Sequence, residues 1–284
     1  MNVKSFFIQQ EDIKSLYKPR KRFAHKGHYG HALLIAGSKG KAGAAILAAK
    51  ACMGSGAGLT TVYAPGHCLY PIQVSVPEAM VIPCNNDEFI EGLPELDKYN
   101  VIGIGPGIGI ENETSKALKL LIQNAGRPLV LDADALNILA DNPTWLSFLP
   151  SGSILTPHPG EFTRLAGKSS NSFERLEKAK EMAKCYNVYV LLKDAFSVLV
   201  CPDGNCYFNS TGNPGMASGG SGDTLTGIIT SFLAQSYSPM HATLMAMYLH
   251  GMAGDIASRR KGFEALTASD IISYLPKAFR NMFY

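Results

Sequence analysis

The sequence predicts an α/β fold, a three-layer α/β/α sandwich whose central sheet is mostly parallel. Short apolar runs bounded by glycine or proline alternate with longer helical runs along the 284 residues. Strands that alternate with helices form parallel β-α-β units, whose helices cover both faces of the sheet. No linker-like run and no internal repeat interrupts this order. We therefore predict one domain over residues 1–284, with a lead-in segment at 1–24.

The strands are predicted from short apolar or β-branched runs. Residues 31–36 end at a Gly-Ser pair, and residues 59–63 are followed by a Pro-Gly pair. Two runs on either side of an Asp-Gly pair, at 197–201 and 206–209, predict a hairpin. Four further strands are predicted at 101–104, 128–132, 153–155 and 188–192.

The helices are predicted between these strands. Residues 43–55 are rich in alanine and other small residues, so this helix can pack closely on a sheet. Asp134 is predicted to cap a helix over 135–140. The other helices are predicted at 111–124, 173–186, 220–235 and 239–258.

Composition excludes several classes of protein. A hydrophobic content of 46% and a charged content of 17% suffice for a sizeable core and do not indicate disorder. The net charge of +3 does not indicate a nucleic-acid binder. The one basic cluster, within residues 18–26, is interpreted as a solvated segment. A surface that attracts a phosphate-bearing small molecule is the alternative.

The cellular location is predicted from three features. The N-terminus lacks the apolar core of a signal peptide. No run approaches the roughly 18 apolar residues of a membrane span. The six cysteines show neither a C-x-x-C pair nor the spacing of a disulfide framework. We therefore expect a cytoplasmic protein with reduced thiols and no membrane partner.

The strongest candidate site is the glycine-rich run at 209–227, where a predicted strand meets a predicted helix. The first amides of a helix lack intrahelical partners, and the positive end of the helix dipole lies beside them. Glycines let a phosphate approach this backbone closely. We therefore expect a phosphate cradle at Gly219, Gly220, Ser221 and Gly222.

Asp223 follows this cradle directly. A carboxylate beside phosphate can act as a general base that takes the proton of an attacking hydroxyl. The alternative is an acid that simply stabilises the start of a helix. The preceding glycines favour the general base.

Further candidates lie at the ends of predicted strands, where open α/β sheets bind ligands. Gly105 and Gly107 either line a ligand or form a plain tight turn. Asp132 is expected to order Mg²⁺ through water, with helix capping as the alternative. Two prolines fix the loop that presents His158 and Glu161.

The other polar candidates are weaker. Glu161 is a second candidate for Mg²⁺ through water, and Lys193 for a nucleotide phosphate, with a solvated lysine as the alternative. The glycine runs near 37–41 and 167–169 depart from the Walker pattern, and no G-x-G-x-x-G is present.

Several motifs together resemble the NAD(P)H-hydrate dehydratase family. The resemblance covers about residues 25–275, the motifs occur in the family's order, and the last two motifs are specific. These motifs are GHALLIAGS at 30–38, GAA at 43–45, SGAGL at 55–59, GPG at 105–107, LDADALN at 131–137, LTPHPGE at 155–161 and TGNPGMASGGSGD at 211–223. The resemblance implies a ribokinase-like fold and ATP- or ADP-dependent conversion of hydrated NADH or NADPH to the reduced dinucleotide, with Mg²⁺.

The resemblance also implies which residues bind each ligand. Contacts to the hydrate would come from Ala44 or Ala45, Gly107 or Gly105, His158 and Asp223. The adenine nucleotide would lie at Gly222 and along five consecutive residues. These are Lys193, Asp194, Ala195, Phe196 and Ser197. The family usually has glycine at the position of Asp194, and an acid there is expected to weaken phosphate binding. Homo-oligomers, often tetramers, and a separate epimerase are further expectations.

Two other functions use the same features. A kinase for a thiazole, pyrimidine or sugar would need the same cradle and base but would keep the phosphate on its product. Ala217 stands where sugar kinases of this fold often have an acid, which argues against that subclass. A nucleotide-binding sensor without activity would have little use for Asp223.

Overall fold

A computed structural model describes residues 4–284. The strands are β1 (Ser5–Phe7), β2 (His31–Ile35), β3 (Leu59–Ala64), β4 (Met80–Pro83), β5 (Val101–Ile104), β6 (Leu129–Leu131), β7 (Ile154–Leu155), β8 (Tyr189–Leu192), β9 (Val198–Val200) and β10 (Cys206–Phe208). The helices are α1 (Gln10–Leu16), α2 (Ala42–Gly54), α3 (Gly66–Ser75), α4 (Asn112–Asn124), α5 (Ala133–Asp141), α6 (Pro159–Ala166), α7 (Ser172–Tyr186), α8 (Ser221–Ala234), α9 (Pro239–Lys261) and α10 (Ala268–Phe283).

The ten strands form one sheet in the order β1-β10-β9-β8-β7-β6-β5-β2-β3-β4. The pairs of β9 with β8 and β10 are antiparallel, and the other pairs are parallel. The predicted hairpin is therefore confirmed as β9–β10, and so is the mostly parallel sheet. All the predicted strands and helices form, with small shifts at their ends.

Helices cover both faces of the sheet, as the alternation predicted. The side chains of a strand point alternately to opposite faces. Ala32 and Leu34 of β2 pack against the layer built from α2, α3, α8, α9 and α10. Leu33 and Ile35 pack on the opposite face, against α4, α5, α6 and α7. This arrangement confirms the three-layer sandwich.

The lead-in segment has structure of its own. β1 joins the edge of the sheet beside β10, and Ile13 of α1 is fully buried. The residues of the basic cluster in 18–26 are exposed, apart from the half-buried Ala24. Lys18 donates to the Ser236 carbonyl (2.9 Å), and the Arg20 guanidinium lies 4.0 Å from the centre of the Tyr29 ring.

Two further expectations concern the chain as a whole. All six cysteines are free. None of the helices found between residues 4 and 284 combines the length and the hydropathy that a membrane crossing requires.

The parallel strands bring the predicted site residues to one edge of the sheet. β5, β6, β7 and β8 are neighbours, so the segments that follow their carboxyl ends lie side by side. These segments carry Gly107, Asp132, His158 and Lys193. The start of α8 reaches the same edge, because Thr226 in its second turn donates to Asp132.

Candidate functional site

The anion turn, residues 218–223, opens helix α8. Gly220 is the residue before the helix and has a left-handed φ of 87°. A Cβ atom at Gly220 would lie 2.3 Å from Leu47 Cδ1, so both conformation and space require glycine. No side chain caps the first amides of α8. Ser221 N bonds to the Ser218 carbonyl. An uncapped helix start of this kind is typical of anion-binding turns, and the phosphate cradle stays a prediction.

Helix α9 supports the loop that leads into the anion turn. The Asp255 carboxylate accepts hydrogen bonds from Gly212 N (3.0 Å) and Asn213 Nδ2 (2.9 Å). A Cβ atom at Gly251 would lie 2.3 Å from Thr211 Oγ1, so the loop rests directly on the helix backbone. This support was not predicted from the sequence. Its only signal was the run of small residues and an acid at 250–255.

Asp132 and Lys193 form a buried ion pair beneath the anion turn. Asp132 is 1% exposed, and its Oδ1 lies 2.6 Å from Lys193 Nζ. Thr226 Oγ1 donates to Asp132 Oδ2 over 2.6 Å. Burial opposes ionisation of Asp132, but the Lys193 ammonium and these two hydrogen bonds outweigh it and lower the pKa of the carboxyl. Asp132 is therefore a carboxylate balanced by Lys193.

Asp223 has the opposite electrostatic setting. Burial and the neighbouring Asp132 carboxylate raise its pKa from 3.8 to about 6, although Lys193 acts the other way. Asp134 and Glu161 contribute to this rise in pKa. A carboxyl group with this pKa is ionised at neutral pH and is more basic than an ordinary aspartate. Such a group suits general-base chemistry.

His158 and Glu161 form a reciprocal cap at the start of α6. His158 Nδ1 accepts from Gly160 N (3.0 Å), and Glu161 Oε2 accepts from His158 N (2.8 Å). Because Nδ1 accepts, Nε2 carries the proton of the neutral ring. Glu161 was predicted to lie in a loop fixed by two prolines, and this prediction is wrong. Pro159 begins α6, so Glu161 lies inside this helix. The exposed His158 ring remains open to a ligand.

Gly107 and Ala44 meet on the other side of the site. A Cβ atom at Gly107, whose φ is 62°, would lie 2.9 Å from Ala44 Cβ. Both residues are half-buried, whereas the alternatives Gly105 and Ala45 are buried. A ligand can therefore reach Ala44 and Gly107, and these two are the favoured candidates of the four.

The segment from Lys193 to Ser197 connects β8 to β9 at the surface. The Phe196 side chain is 71% exposed, and Ala195 is exposed beside it. The Asp194 carboxylate pairs with the Arg175 guanidinium of α7. This ion pair balances the negative charge of Asp194, which was predicted from the sequence to weaken phosphate binding. Arg175 was not predicted, because it lies on a helix and far from any motif.

Asp134 does not cap a helix, so that prediction is wrong. It lies in the first turn of α5, which begins two residues earlier than predicted. Its Oδ2 accepts from Gly109 N over 2.9 Å and lies 3.2 Å from Lys41 Nζ. Ala133, between the two aspartates, has a left-handed φ of 49°, which costs a non-glycine residue about 1–2 kcal/mol. Tertiary contacts therefore override local capping preference here.

A histidine that the sequence analysis missed lies behind the anion turn. His250 of α9 is buried, and its Nε2 lies 3.4 Å from Ser221 Oγ. Burial lowers the pKa of His250 to about 4, with a smaller effect of Lys193 in the same direction. The ring is therefore neutral at physiological pH and adds no charge to the site.

The acids of the site do not form a direct metal site. Both oxygens of Asp132 are engaged by Lys193 and Thr226, and Glu161 bonds to His158. Between residues 4 and 284, no group of three or more His, Cys, Asp or Glu side chains is placed to hold a metal ion. A divalent cation here would need ligands from a phosphate and from water.

Comparison with known sequences gives one family. The family model of NAD(P)H-hydrate dehydratase matches residues 32–277. The ADP-dependent (S)-NAD(P)H-hydrate dehydratase of Bacillus subtilis is 35% identical over 286 residues, which cover 99% of each chain. A bifunctional NAD(P)H-hydrate repair enzyme of Moorella thermoacetica is 40% identical over 273 residues, or 93% of this chain and 52% of the relative. The chain thus spans about half the length of the bifunctional relatives it matches.

Solved structures confirm the predicted fold. The ADP/ATP-dependent NAD(P)H-hydrate dehydratase of Bacillus subtilis, co-crystallised with ATP/Mg²⁺, matches with a TM-score of 0.85 at 34% identity, covering 99% of both chains. A ribokinase-like superfamily protein of Enterococcus faecalis gives a TM-score of 0.85 at 26% identity, covering 98% of this chain and 96% of that one. The fold is ribokinase-like.

Proposed function

The chain belongs to the NAD(P)H-hydrate dehydratase family, and we propose that it converts the hydrate of NADH or NADPH to the reduced dinucleotide with ATP or ADP as phosphoryl donor. The observation that carries this proposal is Asp223, whose pKa is raised to about 6 beside an uncapped helix start. A base next to a phosphate site is needed for phosphoryl transfer to a hydroxyl. Simple nucleotide binding does not need one.

The first step is phosphorylation of the substrate. The hydrate carries a hydroxyl on the ring carbon beside the nicotinamide nitrogen. Asp223 takes the proton of this hydroxyl while its oxygen attacks the terminal phosphorus and the bond to the nucleotide breaks. The amides of the anion turn and the Lys193 ammonium stabilise the charge that develops on the phosphoryl oxygens.

The second step is elimination. Hydroxide is a poor leaving group, and phosphate is a much better one. The lone pair of the ring nitrogen expels phosphate by breaking the C–O bond, and loss of a ring proton restores the dihydropyridine. The overall reaction is that of a hydro-lyase, driven by phosphoryl transfer.

The substrate contacts are part of the proposal. His158, Ala44 and Gly107 would hold the hydrate, since all three retain surface at the sheet edge next to Asp223. The nucleotide would lie along residues 193–197 and at Gly222. Mg²⁺ would arrive with the nucleotide and supply positive charge at its phosphates. This fits a site whose own acids are engaged by other protein groups.

The proposal extends to the location and the assembly of the protein. Six free cysteines suit a reducing compartment such as the cytoplasm. The resemblance to the family supports a homo-oligomer, such as a tetramer. The bifunctional relatives are about twice as long as this chain. This difference in length supports a partner activity, such as that of an epimerase, which would lie outside the residues of this chain.

The test supplies chemically hydrated NADH with Mg²⁺ and either ATP or ADP. We expect the absorbance of the reduced ring to return with at least one donor, and inorganic phosphate to appear in equal amount. No recovery with either donor, together with stable phosphorylation of a vitamin precursor, would identify a kinase instead. Nucleotide binding without any turnover would identify a sensor.

A further inference from the structure

We propose that Asp132 and Thr226 are positioning residues that hold the Lys193 ammonium against the anion turn. This role replaces the magnesium role that the sequence suggested for Asp132. The inference rests on the proposed function and deepens it, because it assigns the residues that prepare Lys193 for the transferred phosphoryl group.

The three side chains form one chain of hydrogen bonds across the edge of the sheet. Asp132 follows β6, Lys193 follows β8, and Thr226 lies in the second turn of α8. Asp132 uses one oxygen for Lys193 and the other for Thr226, each over 2.6 Å. With both oxygens engaged and the carboxylate buried, Asp132 has a single orientation. Lys193 is thereby fixed relative to α8.

The position of the Lys193 ammonium explains the role of these hydrogen bonds. A Cβ atom at Gly222 would lie 3.2 Å from Lys193 Nζ, so the ammonium lies against the backbone of the anion turn. Among the partners found in residues 4–284, Lys193 Nζ donates only to Asp132. Because an ammonium has three donors, two remain for phosphate oxygens at the turn. A lysine fixed in advance stabilises developing charge without having to reorganise.

Thr226 provides the sharpest test, because α8 contains a matched control. Thr230 lies one turn further along the same helix and is equally buried, but its hydroxyl donates only to the Thr226 carbonyl, over 2.7 Å. Thr226→Val removes the bond to Asp132, whereas Thr230→Val removes a bond within the helix. Thr226→Ser keeps the hydroxyl and serves as the conservative variant.

Two measurements are made on each variant. The first is the affinity for ATP with Mg²⁺ by calorimetry, which does not depend on the proposed reaction. The second is kcat and KM for hydrated NADH. Thermal unfolding identifies variants that are not folded at the assay temperature.

We expect Thr226→Val to lower kcat about tenfold, the effect of one hydrogen bond to a charged group. We expect Lys193→Met to lower kcat about 100-fold, as for loss of one charge-stabilising donor. ATP affinity should fall in both. Thr226→Ser and Thr230→Val should stay within about twofold of the wild type in both measurements.

The coupling between positions decides the mechanism. If Thr226 and Asp132 act through Lys193, then Thr226→Val and Asp132→Asn should have no further effect on ATP affinity or kcat in the Lys193→Met protein. The Mg²⁺ concentration for half-maximal activity should be unchanged in Thr226→Val and Asp132→Asn.

Three results would overturn the inference. One is equal ATP affinity and kcat in Thr226→Val and Thr230→Val, and another is full additivity with Lys193→Met. The third is an increased Mg²⁺ requirement in Asp132→Asn, which would restore the magnesium role. Failure of the proposed function looks different, because the wild type itself would then show no turnover of the hydrate while the ATP affinities could still follow the expected order.

Discussion

Replacing Asp223 by asparagine should make the protein more stable above pH 6 while removing most of its activity. Burial and Asp132 raise the pKa of Asp223 from 3.8 to about 6, so the fold disfavours the ionised form. A difference of this size corresponds to about 3 kcal/mol in the free energy of unfolding. This is an upper limit, since the side chain is only partly buried and solvent screens part of the effect.

The sign of the pH dependence follows from linkage. Below pH 3.8 the carboxyl group is protonated in both the folded and the unfolded state, and it contributes no difference. Between pH 3.8 and about 6 the unfolded state releases its proton first, so the wild type loses stability as the pH rises. Above pH 6 the loss is complete. The stability gained by Asp223→Asn should therefore be largest at pH 7–8 and should vanish towards pH 4.

Urea denaturation at pH 4, 6 and 8 measures this difference, with Asp97→Asn as a control because Asp97 is an exposed acid. The activity assay uses hydrated NADH with ATP. Asp223→Asn should lower kcat by a factor of about 10² to 10⁴, the usual contribution of a general base. In the wild type, kcat/KM should fall as the pH drops through about 6, because the base becomes protonated.

Two outcomes would refute this reasoning. If Asp223→Asn is no more stable than the wild type at pH 8, the carboxylate is not disfavoured by its surroundings. If the variant keeps wild-type kcat, Asp223 is not the base, and the alternative of an ordinary acid at a helix start is supported.

Two further predictions concern nucleotide binding, each measured by calorimetry with ATP and Mg²⁺. Gly222→Ala places a methyl group about 3.2 Å from Lys193 Nζ and should weaken binding about tenfold, whereas Gly54→Ala, at the end of α2 with no atom near its Cβ position, should not. Arg175→Ala leaves Asp194 unpaired beside the nucleotide segment and should weaken binding about two- to fivefold, and adding Asp194→Gly should restore it. Equal affinities for the two glycine variants, or no restoration by Asp194→Gly, would contradict these predictions.

The central sheet could be predicted from the sequence because its strands are buried on both faces. Such strands are continuous apolar runs between turn residues. The edge strands β1 and β4 were missed, since their residues are mostly exposed and lack this pattern. Helix α3, which contains Pro71, was not predicted, and α6, which begins with Pro-Gly, was predicted as a loop. Local sequence therefore predicted the interior of the sheet better than its edges.

The site was predicted where it coincides with strand ends or glycines. Asp132, Lys193 and Asp223 were proposed as site residues in this way. The pairing of Asp132 with Lys193 was not, because 61 residues separate them and only the order of the strands brings them together. Thr226 and His250 lie inside helices, where buried polar residues leave no periodic signal. Sequence pattern thus identifies candidate groups, and the topology decides their partners.

The edge strand β1 has a consequence for how the chain is synthesised. Ser5 pairs with Cys206, and Lys4 N donates to Asn205 Oδ1 across 201 residues of sequence. β1 is therefore synthesised well before its partner β10 and pairs only once that strand has been made. Until then Ile8 and Ile13, both buried in the finished fold, lack tertiary contacts that bury them. Contacts of such long range slow folding and leave nascent chains open to aggregation, and here that exposure lasts until β10 has been made.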